Sequence, residues 1–151
     1  MKNTFDLGEK LFFNTLIICI ISFIYFKIIE IESSNLIIEI LFALFFFLIN
    51  FYYGYKYSLK LKESLIVGSM GAGLGIFLSF FSLCAHFLIE GSKSSILFSV
   101  LYLSPIQSIS NYLSGYNSIV NVFTIIIINI FLVVIGGQLR NITNKFLNNF
   151  K

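Results

Sequence analysis

Residues 65–88 read LIVGSMGAGLGIFLSFFSLCAHFL, and the fold of the chain can be worked out from this stretch. It contains no Asp, Glu, Lys or Arg. As an α-helix it would be about 36 Å long, which is enough to cross the hydrocarbon core of a bilayer with some tilt. The sequence therefore predicts a membrane-spanning helix here, and we expect the other apolar segments to pack around it.

Small and polar side chains recur along this predicted helix at alternating spacings of four and three residues, which places them on one face. His86 ends that row. Gly71 and Gly75 add a GxxxG spacing, which allows the backbone of a second helix to come close. We predict a helix-packing face made of Gly68, Gly71, Ala72, Gly75, Ser79 and Ser82. The alternative is that Ser79 and Ser82 line a pore or a substrate path.

The composition of the whole chain agrees with a membrane location. Of its 151 residues, 58% are hydrophobic and 11% are charged, whereas an ordinary soluble domain has about 25% charged residues. We predict an all-α integral membrane protein, a four-helix bundle that forms a single domain. The predicted spans are residues 11–29, 36–53, 65–88 and 119–137.

The basic residues predict the orientation in the membrane. Two of the ten, Lys27 and Lys93, lie on one predicted side. The other eight lie on the opposite side, and these are Lys2, Lys10, Lys56, Lys60, Lys62, Arg140, Lys145 and Lys151. Because cytoplasmic loops carry the excess of Lys and Arg, we expect a cell-membrane protein with both termini in the cytoplasm. The tail 140–151 is predicted to be an amphipathic helix on the inner surface.

The connection 91–118 is the only long one that the sequence predicts. Its apolar core, residues 96–103, is too short to span a membrane. We therefore predict an interfacial or re-entrant segment on the outer side, between the third and fourth spans, with Tyr102, Tyr112 and Tyr116 near the lipid headgroups. A fifth span would move the basic C-terminal residues outside, against the charge rule.

Two stretches carry a resemblance to known proteins. The first, YYGYKYSLKLKESLIVGSMGAGLG at residues 52–75, joins a basic loop to a glycine-rich span. The second, VVIGGQLRNI at residues 133–142, closes the fourth predicted span with Gly136 and Gly137. In these features the chain resembles the small, uncharacterised four-span membrane proteins of prokaryotes. The resemblance implies no activity, no cofactor and no site residue.

One polar residue from each predicted span is expected at a similar depth near the outer surface. This outer polar cluster consists of Lys27, Glu39, His86 and Asn121. Ionisable groups inside a membrane usually face a partner or a water-filled cavity, so an ion pair of Lys27 with Glu39, close to His86, would bind a polar solute or relay a proton. In the structural alternative, the helix dipole stabilises Glu39, Lys27 extends to the headgroups and His86 bonds a neighbouring helix.

Other polar residues are expected to have structural roles. Asn129 lies near the middle of the fourth predicted span, and we expect it to hydrogen-bond another helix rather than to line a route. Asn14 and Asn50 lie near the inner ends of their spans and are given no role.

The residue types present argue against several classes of function. The chain has a single His and no CxxC, HExxH, GxSxG or P-loop pattern, so we predict no catalytic residue, no metal and no cofactor. The basic residues lie at span ends, where anchoring in the lipid bilayer explains them better than nucleic-acid binding. We predict a non-enzymatic accessory or scaffold subunit that packs against a membrane-protein partner or against itself. The alternative is a small homo-oligomeric transporter or channel that uses the outer polar cluster.

Overall fold

The computed structural model describes residues 2–28, 36–88, 100–106 and 118–148. Within these residues the chain is helical and has no strand, so the predicted all-α class is confirmed. A short 3₁₀ helix covers Ser104–Ile106. The longer helices are α1 at Lys2–Ile28, α2 at Leu36–Tyr57, α3 at Leu61–Gly71, α4 at Gly73–Leu88 and α5 at Ser118–Asn148.

Three of these helices are long and apolar enough to cross a membrane. The segments concerned are Asn3–Phe26, Ile37–Tyr57 and Asn121–Leu147. The pair of α3 and α4 meets the same criteria when it is taken as one crossing, bent by 53°. Counted in this way, the fold is the predicted four-helix membrane bundle, with a bend in its third member.

The bend in the third crossing lies at Ala72, between two glycines. Glycine lowers the propensity for helix, and pairs of small residues are common at kinks. Ala72 still donates a backbone hydrogen bond to Gly68, and it accepts one from Ile76. The sequence predicts one continuous helix over residues 65–88, but the structure divides it into α3 and α4. The residues of the predicted packing face are therefore distributed over two helices that run in different directions.

Helix α1 runs antiparallel to α2. Asn14, in the first half of α1, donates a hydrogen bond of 2.6 Å to the hydroxyl of Tyr53 near the end of α2. Tyr25, near the end of α1, packs its ring against Phe42 in the first half of α2. The two helices therefore form the hairpin that their short connection requires.

Helix α5 runs parallel to α2 and packs more extensively against it than any other pair of helices does among the described residues. Asn50 contacts Asn129, and, further along both helices, Tyr55 contacts Arg140. Because these contacts follow the same order in both helices, α2 and α5 cross the bundle in the same direction. This is the relation expected of the second and fourth crossings of a four-span protein.

Two glycines allow α2 and α5 to approach each other closely, and a third brings α5 close to the turn after α2. A methyl group at Gly54 would overlap the backbone of α5, and one at Gly136 would lie 2.9 Å from the backbone nitrogen of Tyr55. A methyl group at Gly137 would lie 2.6 Å from the carbonyl oxygen of Leu59. Gly136 and Gly137, which are predicted to close the fourth span, both lie inside α5, where they permit backbone contact, and the helix continues beyond them.

The described part of the long connection, residues 100–106, lies inside the bundle. Tyr102 and Ile106 are 0% exposed, and the ring of Tyr102 packs edge-on against Phe46 of α2 with 5.7 Å between centroids. Of the two predicted alternatives, this placement matches a re-entrant segment. The prediction that Tyr102 lies near the headgroups is wrong, whereas Tyr112 and Tyr116 lie outside the described residues.

The helices extend beyond the predicted spans at the end of the bundle that carries most basic residues. Helix α1 already begins at Lys2, and α2 continues to Tyr57. Helix α5 continues without a break to Asn148, so the described part of the predicted tail 140–151 prolongs the last crossing rather than forming a separate surface helix. Hydropathy marks the apolar core of a span, while the backbone hydrogen bonds of a helix continue into the interface.

Candidate functional site

The outer polar cluster is distributed over four helix ends. Lys27 and His86 belong to the last turns of α1 and α4, and their side chains lie outside the part that the structure describes. Glu39 lies in the first turn of α2 and Asn121 near the start of α5, and both side chains are half-buried. The joint role of these four residues therefore stays a prediction.

The six residues of the predicted packing face are all buried, and they contact elements of this same chain. A methyl group at Gly68 would lie 3.1 Å from the Cα atom of Ile130 in α5. Gly71 lies against Leu11 of α1, and Gly75 lies against the ring of Tyr102. In the structure this surface thus packs within the bundle, and each half of the bent crossing has its own neighbours.

A hydrogen-bonded group at the centre of the bundle joins α2, α5 and the re-entrant segment. The amide nitrogen of Asn50 donates to the carbonyl oxygen of Phe46 at 2.8 Å and to Oδ1 of Asn129 at 3.2 Å. Asn129 in turn donates through its amide nitrogen to the hydroxyl of Tyr102 at 2.9 Å. Because the carbonyl of Phe46 is only an acceptor, it fixes which atom of the Asn50 amide is the nitrogen, and the rest of the orientation follows.

Two buried oxygens at this centre have no hydrogen-bond partner among the described residues. These are Oδ1 of Asn50 and Oγ1 of Thr15, and both residues are 0% exposed. Leaving a buried polar group unpaired costs about 1–3 kcal/mol. Such atoms are commonly met by bound water or by a ligand that donates a hydrogen bond.

We infer that Thr15 lies close to Asn50 from the neighbours of Gly71 and from the periodicity of α1. A methyl group at Gly71 would lie 2.6 Å from Cγ of Leu11 and 3.6 Å from Oδ1 of Asn50. Thr15 follows Leu11 by one helical turn, on the same face of α1. We call Thr15, Asn50, Tyr102 and Asn129 the central polar cluster. It lies where α1, α2, the end of α3 and the re-entrant segment meet, and none of its members carries a formal charge.

Hydrogen bonds also attach the re-entrant segment to α1. The hydroxyl of Ser104 donates to the carbonyl oxygen of Cys19 at 2.9 Å, and it lies 2.8 Å from the hydroxyl of Ser22. The hydroxyl of Ser22 also lies 2.8 Å from the carbonyl oxygen of Ile18, one turn before it in α1. Because a hydroxyl has one hydrogen, Ser22 cannot donate to both Ser104 and Ile18. Residues 100–106 are thus held on two sides, by α1 and by Asn129.

Sequence reasoning finds Asn129 but misses its partners. The expectation that Asn129 bonds another helix is confirmed, since it contacts Asn50 of α2. Asn50 has no predicted role because hydropathy sets it near the inner end of its span. The structure extends α2 to Tyr57, and only this extension puts Asn50 well inside the helix. Nothing in the local sequence signals that Tyr102 inserts between the helices.

Among the pockets on the surface of the described part, two have a volume of about 500 Å³ each. The apolar groove runs along α2 and is lined by Phe45, Leu48, Ile49, Phe51, Tyr52 and Tyr55. The basic pocket lies between the end of α2 and α5 and is lined by Ser58, Lys60, Leu61, Gln138, Asn141, Asn144 and Lys145. Among the described residues, no group of three or more His, Cys, Asp or Glu side chains is placed to hold a metal ion.

Comparison with models of known protein families, with curated proteins and with solved structures finds no match for this chain. The resemblance to four-span prokaryotic proteins therefore stays a prediction.

Proposed function

We propose that this chain is a non-enzymatic transporter or channel of the cell membrane, with both termini in the cytoplasm. Its binding site is the central polar cluster, and its substrate is a small uncharged solute that donates hydrogen bonds. The orientation is supported by the excess of basic residues at one end of the bundle. The outer polar cluster would then lie toward the outer entrance.

One observation carries the proposal: two buried oxygens, of Thr15 and Asn50, have no hydrogen-bond partner among the described residues. Asn50 lies beside Gly71, next to the break in the third crossing, and is linked through Asn129 to Tyr102 of the re-entrant segment. Transporters commonly place their binding sites near the bilayer midplane, at discontinuous helices. Irregular backbone at that depth is tolerated where it is buried in protein or lines a cavity. Because the cluster offers amide and hydroxyl groups and no formal charge, it suits a neutral solute better than an ion.

The predicted packing face also bears on the choice between the two candidate functions. The sequence predicts an accessory subunit whose small face packs against its own hairpin or against a partner helix. In the structure, Gly68, Gly71 and Gly75 lie against Ile130, Leu11 and Tyr102 of the same chain. The face therefore gives no support to partner binding, and the support for transport comes from the polar residues beside it.

The proposal is tested by measuring the permeability of liposomes that contain the protein. The purified protein would be reconstituted in liposomes, and stopped-flow light scattering would follow the entry of urea, formamide and glycerol. We expect permeability to at least one of the three to exceed that of empty liposomes about tenfold, and the variant Tyr102→Phe to change it. Asn14→Ala is the control, because Asn14 bonds Tyr53 outside the cluster. Permeability equal to that of empty liposomes for all three solutes would contradict the proposal.

A second candidate function, that of an accessory or scaffold subunit, is favoured by the apolar groove. Phe45 is 60% and Leu48 57% exposed at its edge. A transmembrane helix of a partner protein would fill this groove by apolar packing. The test is to extract the complex in mild detergent and to measure its mass and composition. A stoichiometric second protein that is lost in the variant Leu48→Trp would favour this function. The control is Ile127→Trp, on the lipid-facing side of α5, which should keep the second protein.

A further inference from the structure

The basic pocket is built from two separate parts of the chain. Ser58 and Lys60 lie in the turn between α2 and α3, Leu61 is the first residue of α3, and the other lining residues come from one face of α5. Lys60 and Lys145 bring one positive charge from each part, and no lining residue is acidic. The rest of the polar lining consists of three side-chain amides and a hydroxyl group.

The walls of the pocket are held together before any ligand binds. Asn141 donates to the carbonyl oxygen of Leu59 at 3.1 Å, and Asn144 reaches the hydroxyl of Ser58 at 3.5 Å. Gly137 allows α5 to approach this turn closely. Ser58 has a φ of 49°, a left-handed conformation that is unfavourable for a residue other than glycine and is kept here by these contacts.

The two ammonium groups remain available to a ligand. Among the described residues, neither Lys60 nor Lys145 forms an ion pair with a carboxylate. Glu63, the nearest acidic residue along the chain, instead accepts a hydrogen bond from the backbone nitrogen of Lys60 at 3.0 Å and so caps α3. The pocket therefore has a net positive charge that no side chain in the described part neutralises.

Apolar side chains adjoin the pocket on the side facing the bilayer. Leu61 is 55% exposed and lines the pocket, and Leu65 continues the same face of α3 one turn further. On α5, Leu139 and Ile142 are also exposed. A ligand that fits both the basic pocket and its apolar edge has an anionic head, which contacts the lysines, and apolar chains, which contact the flanking leucines.

We propose that this pocket binds the phosphate group of an anionic phospholipid. Lys60 and Lys145 contact the phosphate oxygens, the amides and Ser58 donate further hydrogen bonds, and the acyl chains lie along Leu61 and Leu65. Basic pockets at the interfacial ends of transmembrane helices are suited to such headgroups, and the ammonium group of lysine is a common phosphate ligand. The site is separate from the central polar cluster and does not depend on transport.

The experiment measures lipid binding to the full-length protein in mild detergent. Native mass spectrometry would be titrated with phosphatidylglycerol and, separately, with phosphatidylcholine. We expect preferential binding of phosphatidylglycerol, weakened about 10- to 30-fold in the double variant Lys60→Gln/Lys145→Gln. Lys10→Gln/Lys62→Gln removes the same charge at the same end of the bundle, outside the pocket, and is the matched control; Lys60→Arg/Lys145→Arg should retain binding.

Three results would overturn the proposal. Equal weakening in the two glutamine variants would mean that the net charge of the surface attracts the lipid. Equal binding of phosphatidylcholine would mean that the pocket does not select an anionic head. If inorganic phosphate displaced phosphatidylglycerol and raised the melting temperature as much as phosphatidylglycerol does, the ligand would be a soluble anion. Because both lysines are exposed, the variants should fold, which an unchanged melting temperature without added lipid would verify.

Discussion

At the scale of single residues, Asn129 holds the centre of the bundle together. Its amide accepts from Asn50 of α2 and donates to Tyr102 of the re-entrant segment, so both bonds are lost when the amide is removed. In a membrane such bonds are each worth about 0.6 kcal/mol, with a maximum near 1.7 kcal/mol. Leaving the buried groups of Asn50 and Tyr102 unpaired costs more than the loss of the bonds themselves.

We predict that Asn129→Ala lowers the free energy of unfolding by about 1–3 kcal/mol. Unfolding in mixed micelles, followed by circular dichroism, would measure it. Asn14→Ala provides the comparison, because Asn14 makes a single bond to Tyr53 in a partly buried position. If the two variants lose the same stability, the bonds of Asn129 are not the reason that the central contacts persist.

Thr15→Val separates stability from function. Valine has nearly the shape of threonine but lacks the hydroxyl, and the hydroxyl of Thr15 has no partner among the described residues. We therefore expect the free energy of unfolding to stay equal or to rise by about 1–2 kcal/mol, since the cost of burying an unpaired group disappears. Under the proposed transport function, solute permeability should nevertheless fall. Lower stability would show that the hydroxyl makes a favourable bond in the membrane.

At the scale of secondary-structure elements, the contact of α2 with α5 depends on backbone proximity rather than on side-chain interdigitation. Gly54 and Gly136 face the partner's backbone atoms, which cannot rotate away as the end of a side chain can. Small residues serve this purpose in membranes, where burial of apolar surface brings helices together only weakly.

We predict that Gly54→Ala lowers the free energy of unfolding by about 1–3 kcal/mol, because the new methyl group forces the two helices apart. Gly73→Ala is the matched control. Its methyl group would lie 3.4 Å from the ring of Phe12, an ordinary contact, and alanine favours helix over glycine by up to about 1 kcal/mol. Melting temperatures in detergent should fall for the first variant and be unchanged or higher for the second. The opposite order would place the close approach of the helices elsewhere.

At the scale of the whole molecule, the number of crossings depends on the bent pair. If α3 and α4 together form one crossing, the chain crosses four times and its ends lie on the same side. If the pair is instead a re-entrant loop, three crossings remain, and the termini lie on opposite sides. Two helices that cross a membrane in the same direction must have an odd number of crossings between them. Helices α2 and α5 are parallel, and one crossing lies between them only when α3 and α4 together span the membrane, so their packing favours the first arrangement.

We predict that a C-terminal reporter and a single cysteine at Lys62 are both accessible from the cytoplasm only. The native Cys19 and Cys84 would first be replaced by serine or alanine, and accessibility would be measured with a membrane-impermeant maleimide on intact and on opened cells. Labelling of Lys62→Cys in the cytoplasm together with an external C-terminus would contradict the four-span arrangement.

The properties that add up along the chain follow from the sequence. Its apolar segments, low charge and basic span ends suffice for the all-α class and the membrane location. The same holds for the glycine-rich third crossing and for the hydrogen bonding of Asn129 to another helix. Hydropathy and helical periodicity are local properties, so neighbouring residues are enough to predict them.

The tertiary structure alone decided which distant residues meet. Asn50 and Asn129 are 79 positions apart, and Ser104 and Cys19 are 85 apart, so no local pattern couples them. Gly136 and Gly137 resemble the end of a span, because glycine closes helices and also lets them touch, and only the presence of α2 distinguishes the two uses. The sequence predicts Tyr102 at the interface because tyrosine is common there, whereas Asn129 offers its hydroxyl a buried partner. Packing selects among positions that are locally equivalent, and its outcome depends on the complete set of neighbours.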